Sequence, residues 1–125
     1  LSEAGMPWAT VVDNGVIPRR YDTLPDVERP RAYHLVPAGI SKAAAIAADR
    51  VHRGLAADEC AVIGDALSDF ECRTEVGRTF IVCNALEKDP QLADLVAATP
   101  GVEVTERDHG EGFADVVAAL LADRG

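Results

Sequence analysis

At 125 residues the chain has room for one small domain with a real core, since a chain of this size buries roughly two-thirds of its unfolded surface. A hydrophobic share of 48% with 26% charged residues excludes disorder, and 21 acidic against 12 basic residues, a net charge of −9, exclude non-specific binding to nucleic acid or to anionic membranes. No apolar run approaches the roughly 20 residues that a membrane helix needs, and no basic segment followed by an apolar one opens the chain.

The short apolar run Trp8–Val12 leads into Asp13-Asn14-Gly15, a strong turn signal, and Val16-Ile17 follows, which predicts a β-hairpin. Residues 18–30 carry three prolines and scattered charges and read as loop. Residues 32–36 form a short strand stopped by Pro37. Ser41 caps a helix that runs to about Arg53, with Gly54 past its end and a stripe of Ala43, Ile46, Ala47 and Val51. Residues 60–63 are continuously apolar, as in a strand buried on both faces. A short helix over 67–74 follows, then a second buried strand over 79–83. Asp89 caps a helix with Pro90 at its first position, running to about Ala98. A third strand spans 102–105, and a last helix runs from about Gly112 to Asp123.

Strands that alternate with helices predict an α/β fold with a parallel sheet, whose ligands bind at the C-terminal ends of the strands. That rule points to the loops after Ile63 and Cys83. The first holds Gly64-Asp65-Ala66-Leu67-Ser68-Asp69. Gly64 permits a tight turn, and Asp65 and Asp69 fall on one face of a helical turn. Two carboxylates at a strand end suit Mg²⁺, which takes one or two of them and fills its octahedron with water and phosphate oxygens. They equally suit a helix cap and a solvated aspartate. Lys42 lies in the first turn of a helix, where the macrodipole disfavours a cation unless an anion is also there.

Cys60, Cys72 and Cys83 are odd in number and match no zinc spacing; buried reduced thiols are expected, and with them a cytoplasmic origin. His34, His52 and His109 are isolated and read as structural or solvated. Gly110 and Gly112 set the entry to the last helix, while Trp8, Phe113 and the stripe Val116, Val117, Leu120 and Leu121 read as core. Asp22 and Asp26 read as loop charges.

Taken in order, Leu35-Val36-Pro37, Gly39-Ile40-Ser41-Lys42, Ala61-Val62-Ile63-Gly64-Asp65 with Asp69, Asn84-Ala85 and Gly110-Glu111-Gly112-Phe113-Ala114 resemble the C-terminal half of a haloacid dehalogenase (HAD) superfamily phosphatase of the Cof-type and sucrose-phosphatase-like branch. The resemblance covers residues from about Arg31 onward. It implies the C-terminal half of a doubly wound, Rossmannoid parallel sheet over 37–125, with residues 1–36 as the tail of an inserted cap. It implies a Mg²⁺-dependent hydrolase acting on a small phosphorylated metabolite, a sugar phosphate by default, through an aspartyl-phosphate. Lys42 would steady the phosphoryl charge, Asp65 and Asp69 would hold Mg²⁺ directly or through water, and Asn84 would lie at the mouth of the site as a substrate-binding residue. Ser68 stands where the family often has Asn.

The family's Asp-x-Asp nucleophile motif is absent from these residues. Asp13, after Thr10-Val11-Val12, is the one passable substitute, and it lacks a second Asp and reads as a turn residue. The chain opens on Leu1, which leads us to expect a true start upstream. The missing half of the core, in the same polypeptide or in a second chain, is therefore an expected partner. Without its strand the 60–63 strand is an apolar edge, prone to pair with another copy. The competing reading is a non-catalytic α/β module that binds a metal or an anion or serves interaction. A receiver-like phosphorylation domain is a third reading, weakened by the lack of acidic residues near a first strand.

Overall fold

A computed structural model describes every residue except Ser2, Pro18, Arg124 and Gly125. The chain divides into two compact units, Leu1–Ile40 and Ser41–Gly125.

The first unit is a two-stranded antiparallel ribbon of β1 (Ala9–Val16) and β2 (Arg31–Pro37). Asp13-Asn14-Gly15, expected as the hairpin turn, is instead a bulge inside β1: Asp13 faces Tyr33 and Val16 faces Arg31, so two residues oppose one. The cause is local. The Asp13 carboxylate accepts the Gly15 N–H at 2.8 Å, and Gly15 takes φ 84°, which absorbs one extra residue without reversing the chain. Arg31 on the partner strand pairs with the same carboxylate and holds its pKa below the usual range. The reversal falls to residues 17–30, whose described members form no helix or strand; Pro18, the expected start of that loop, lies outside the described residues. Trp8 is 59% exposed and belongs to no core.

The second unit is α/β, as expected. Its sheet is three parallel strands in the order β3 (Ala61–Gly64), β4 (Arg78–Ile81), β5 (Val102–Val104). The first helix, α1 (Lys42–Arg53), begins where its cap predicts: the Ser41 hydroxyl accepts the Ala44 N–H at 3.0 Å, and Gly54 closes the far end at φ 69°. After β3 come α2 (Leu67–Phe70) and a 3₁₀ turn over Glu71–Thr74, which divide the single helix expected there. Between β4 and β5 lie α3 (Asn84–Lys88), which the sequence does not suggest, and α4 (Pro90–Ala98), capped by Asp89. The last helix, α5 (His109–Ala122), starts three residues before Gly112.

The core is gathered on Phe70, Ile81, Ala85, Leu92 and Val96, with Leu67, Leu86, Leu95 and Val102 against it. It therefore sits on the central strand β4 and the α2, α3 and α4 segments. Only β4 is deeply buried. The expectation of two-sided burial fails for β3, where Ala61 is exposed and Val62 and Ile63 are half-buried, because β3 is an edge strand with no neighbour on its outer side among the described residues. Val51, Phe113 and Leu121, expected in core stripes, are exposed at 71%, 52% and 64%. Of the three cysteines, all free, Cys72 is buried and Cys60 and Cys83 are half-buried. No helix among the described residues is long and apolar enough to cross a membrane.

Candidate active site

Parallel strands deliver their following loops to one end of a sheet, and the loop after β3 carries the acidic pair. Gly64 ends the strand, and a Cβ there would run into the Asp69 side chain, so only glycine lets the loop close over Asp69. Asp69 sits at the third position of α2 and reaches back: its Oδ2 accepts the backbone N–H groups of Asp65 and Ala66, each at 3.1 Å. Its Oδ1 accepts from Lys42 Nζ at 2.7 Å. Lys42, 27 residues away at the start of α1, thus finds the anion that its place in a first turn requires, and that anion is Asp69 itself.

The two carboxylates are therefore unequal. Asp69 has both oxygens engaged and a side chain 13% exposed. Asp65 is exposed, and its carboxylate has no hydrogen-bond or ion-pair partner among the described residues. The described residues also gather no group of three or more His, Cys, Asp or Glu. A hard cation that keeps waters and phosphate oxygens needs only one free protein carboxylate, and Asp65 supplies it. Of the two, Asp65 is thus the carboxylate left available to an ion, while Asp69 shapes the loop and holds the lysine.

Asn84, the fourth predicted site residue, is 6% exposed and lines a cavity of about 240 Å³ together with Asp65, Gly64 and His109. It is the first residue of α3 and ties that helix to α5: its Oδ1 accepts the His109 N–H at 2.9 Å. This bond fixes the amide orientation, and Nδ2 is buried without a partner among the described residues. A buried donor without a partner costs roughly 1–3 kcal/mol. The start of α5 is held from below as well. The Thr105 hydroxyl accepts the Cys83 N–H at 3.0 Å and donates to the Arg107 carbonyl at 2.7 Å, and a Cβ on Gly112 would collide with that carbonyl.

His109, which the sequence alone presents as an isolated loop histidine, is the first residue of α5, sits at φ 47°, and forms part of the cavity wall. A left-handed non-glycine residue costs on the order of 1–3 kcal/mol and marks a position that the surroundings force. Asp108 before it is the available signal, as an N-cap residue, but its side chain makes no capping bond. His34 and His52 are exposed, as expected. Asp13 carries its bulge and its arginine in the first unit.

Comparison with known proteins finds relatives that match part of the chain. The chain is 43% identical over 58 residues to an HMP-PP phosphatase of Klebsiella pneumoniae, covering 46% of this chain and 20% of that protein. It is 36% identical over 89 residues to a phosphoglycolate phosphatase of Archaeoglobus fulgidus, covering 71% of this chain and 36% of the relative. An HMP-PP phosphatase of Citrobacter koseri is 39% identical over 70 residues, 56% of this chain and 24% of that one. A stretch of 89 residues in a chain of 125 includes residues 37–89 wherever it begins, so the second match takes in Lys42, Asp65, Asp69 and Asn84. The chain is thus similar to part of HAD-superfamily phosphatases, and its α/β unit with a three-stranded parallel sheet is consistent with a HAD-like core. The chain spans between a fifth and about a third of the length of these curated relatives. No family model matches it, and no solved structure does.

Proposed function

We propose that these residues are the C-terminal half of the core of a Mg²⁺-dependent phosphomonoester hydrolase that acts on a small phosphorylated metabolite, with residues 1–36 as the tail of a cap inserted between the halves. The observation that carries the reading is the free Asp65 carboxylate at the C-terminal end of a parallel strand, one turn from an aspartate that holds a lysine. The names of the matched relatives, phosphatases of HMP-PP and of phosphoglycolate, support phosphatase chemistry on a small phosphorylated metabolite.

In this reading Lys42 uses the donors not given to Asp69 to bind the phosphoryl oxygens and offset their charge. Asp65 would hold Mg²⁺, which would supply charge neutralisation at the phosphate. Asp69 keeps the loop closed and the ammonium aimed. An aspartate from the other half of the core would attack phosphorus and expel the alcohol, and water would then cleave the aspartyl-phosphate. That half would bring the strand that completes the sheet. Two grooves meet β3 at Cys60 and Ala61, one of about 800 Å³ where Leu120 and Leu121 of α5 stand beside Asp58, Glu59, Arg78 and Asp123, and one of about 370 Å³ walled by Ala45, Ile46, Asp49 and Arg50 of α1.

The competing reading, a non-catalytic module that binds a metal or an anion, gains from the absence of Asp-x-Asp among these 125 residues. One experiment tests the metal and anion site on which the proposal rests. The chain is titrated with Mg²⁺ and a phosphate mimic such as vanadate, and phosphate release from an aryl phosphate is assayed alongside, with Asp65→Asn as the comparison. The half-core reading expects Mg²⁺ and vanadate to strengthen each other's binding, both effects to vanish in Asp65→Asn, and no turnover. Failure of Mg²⁺ to bind at Asp65 would overturn it. Mg²⁺-dependent turnover would place a nucleophile in this chain, with Asp13 the first residue to replace.

A further inference from the structure

We propose that Asn14 is a site of self-modification: the Gly15 amide closes on the Asn14 side chain, expels ammonia and, after hydrolysis, leaves an aspartate or isoaspartate linkage in β1. Every residue involved lies in the first unit, so the inference stands apart from the phosphatase reading. The reaction needs a backbone nitrogen that can reach the preceding side chain, and glycine hinders that approach least. Gly15 sits at φ 84°, and the place where its Cβ would stand is open, with nothing within 4 Å. Asn14 is exposed, and the bulge takes both residues out of the ladder, whose register passes from the Asp13–Tyr33 pair to the Val16–Arg31 pair. Two side chains complete the arrangement. Asp13 Oδ1 accepts the Gly15 N–H at 2.8 Å, so a carboxylate already lies on the proton that must leave the attacking nitrogen. The Arg31 guanidinium beside it holds its pKa below the usual range and so keeps it ionised. The amide that must depart is held on the His34 ring, with Asn14 Nδ2 3.2 and 3.1 Å from its two nitrogens.

The bond that forms joins Gly15 N to Asn14 Cγ, and the bond that breaks is Cγ–Nδ2. The proton that Asp13 takes from Gly15 passes through water to Nδ2, which departs as ammonia and leaves a cyclic imide. Water then opens either carbonyl of the imide. Opening at the side-chain carbonyl restores the normal chain with an aspartate at position 14. Opening at the backbone carbonyl routes the chain through the former side chain and adds a carbon to the β1 backbone. Either product sets a new carboxylate beside Asp13, in competition for Arg31, and removes the amide from His34. The chain has one other asparagine, Asn84, which is buried and precedes Ala85 within α3, and it serves as an internal control.

The test incubates the folded chain at neutral pH and follows both asparagines by peptide mass spectrometry, with fragmentation that tells aspartate from isoaspartate. The same chain in urea reports the rate that the Asn-Gly dipeptide sets without the fold. The expected result is conversion of Asn14 at least as fast in the folded chain as in urea, with Asn84 intact in the folded chain. Asp13→Asn keeps an acceptor oxygen for Gly15 but removes the base, and should slow the folded rate about tenfold; a well-matched base contributes about a hundredfold or more, and a carboxylate made this acidic is a weak one. Arg31→Gln breaks the same ion pair but leaves the carboxylate, so it controls for loosening of the ribbon and should leave the folded rate undiminished. Conversion slower in the folded chain than in urea would overturn the proposal. So would Asp13→Asn converting like the parent, or the two variants slowing it equally.

Discussion

Replacing Asp69 by alanine removes three hydrogen bonds at once, and the structure says what each contributes. Two are caps: Oδ2 takes the N–H groups of Asp65 and Ala66, and losing a side-chain cap costs about 0.5–2 kcal/mol. The third is the Lys42 pair, in which the lysine is 56% exposed, so its share is about 0–1 kcal/mol. Asp69→Ala should therefore destabilise the chain by about 2–3 kcal/mol, and Lys42→Met by less than about 1. Asp69→Asn keeps one oxygen for the two backbone donors but turns an NH₂ toward the ammonium, and falls between. Urea unfolding, read at an unchanged slope, measures all three. The same variants separate structure from ligation. Asp69→Asn should leave Mg²⁺ affinity within a few-fold of the parent, while Asp65→Asn abolishes it. Equal stability losses for Asp69→Ala and Lys42→Met would refute the capping argument, and equal Mg²⁺ losses for the two asparagine variants would refute the division of labour between the carboxylates.

Three further outcomes follow from the same geometry. Gly64→Ala places a methyl group into the Asp69 side chain and should cost about 1–3 kcal/mol; it should also break the ion pair between Asp69 and Lys42, which a lysine side-chain resonance would report. Asp115 is held below its ordinary value of 3.8 by its hydrogen bond from Arg107, so the pair stabilises the fold above about pH 4 and that contribution disappears as pH falls through the lower folded value. Asp115→Asn should accordingly flatten the acid limb of an unfolding-against-pH curve, and an unchanged limb would refute the assignment. Cys72 is fully buried with its thiol donating to the Ser68 carbonyl at 3.2 Å, and burial pushes its pKa up. In the folded chain, alkylation should label Cys60 and Cys83 well before Cys72, and simultaneous labelling would mean that the α2 segment opens readily.

Much of the second unit is legible in the sequence because its signals are local. Ser41 and Gly54 bound α1 and Asp89 with Pro90 opens α4, each through backbone groups within a few residues. The strand–Gly–Asp sequence at Ile63-Gly64-Asp65 places the site for the same reason. The features that differ from expectation depend on partners distant in sequence. Asp13-Asn14-Gly15 has the composition of a hairpin turn, and only pairing with Tyr33 and Arg31 makes it a bulge. Val51, Phe113 and Leu121 have core periodicity but lack cover, since periodicity shows which face is apolar and not whether anything lies against it. The place of His109 is hidden in the sequence because its constraint is an amide 25 residues upstream.

The acidic pair shows how this difference bears on function. Spacing alone makes Asp65 and Asp69 equivalent, two carboxylates one turn apart. The fold separates them by committing Asp69 to its own loop and to Lys42, which leaves Asp65 as the free charge. The lysine and the loop are thus set by interactions entirely within residues 41–70, and none of them requires a metal, a phosphate or a nucleophile. Such a half-site is preorganised before its ligand arrives, so the ordering cost is met by folding rather than by binding. It follows that binding and turnover are separable here: the chain should hold Mg²⁺ and an anion with the geometry it already has, and the remaining half of the core would add the reacting atom to a site that needs little rearrangement to receive it.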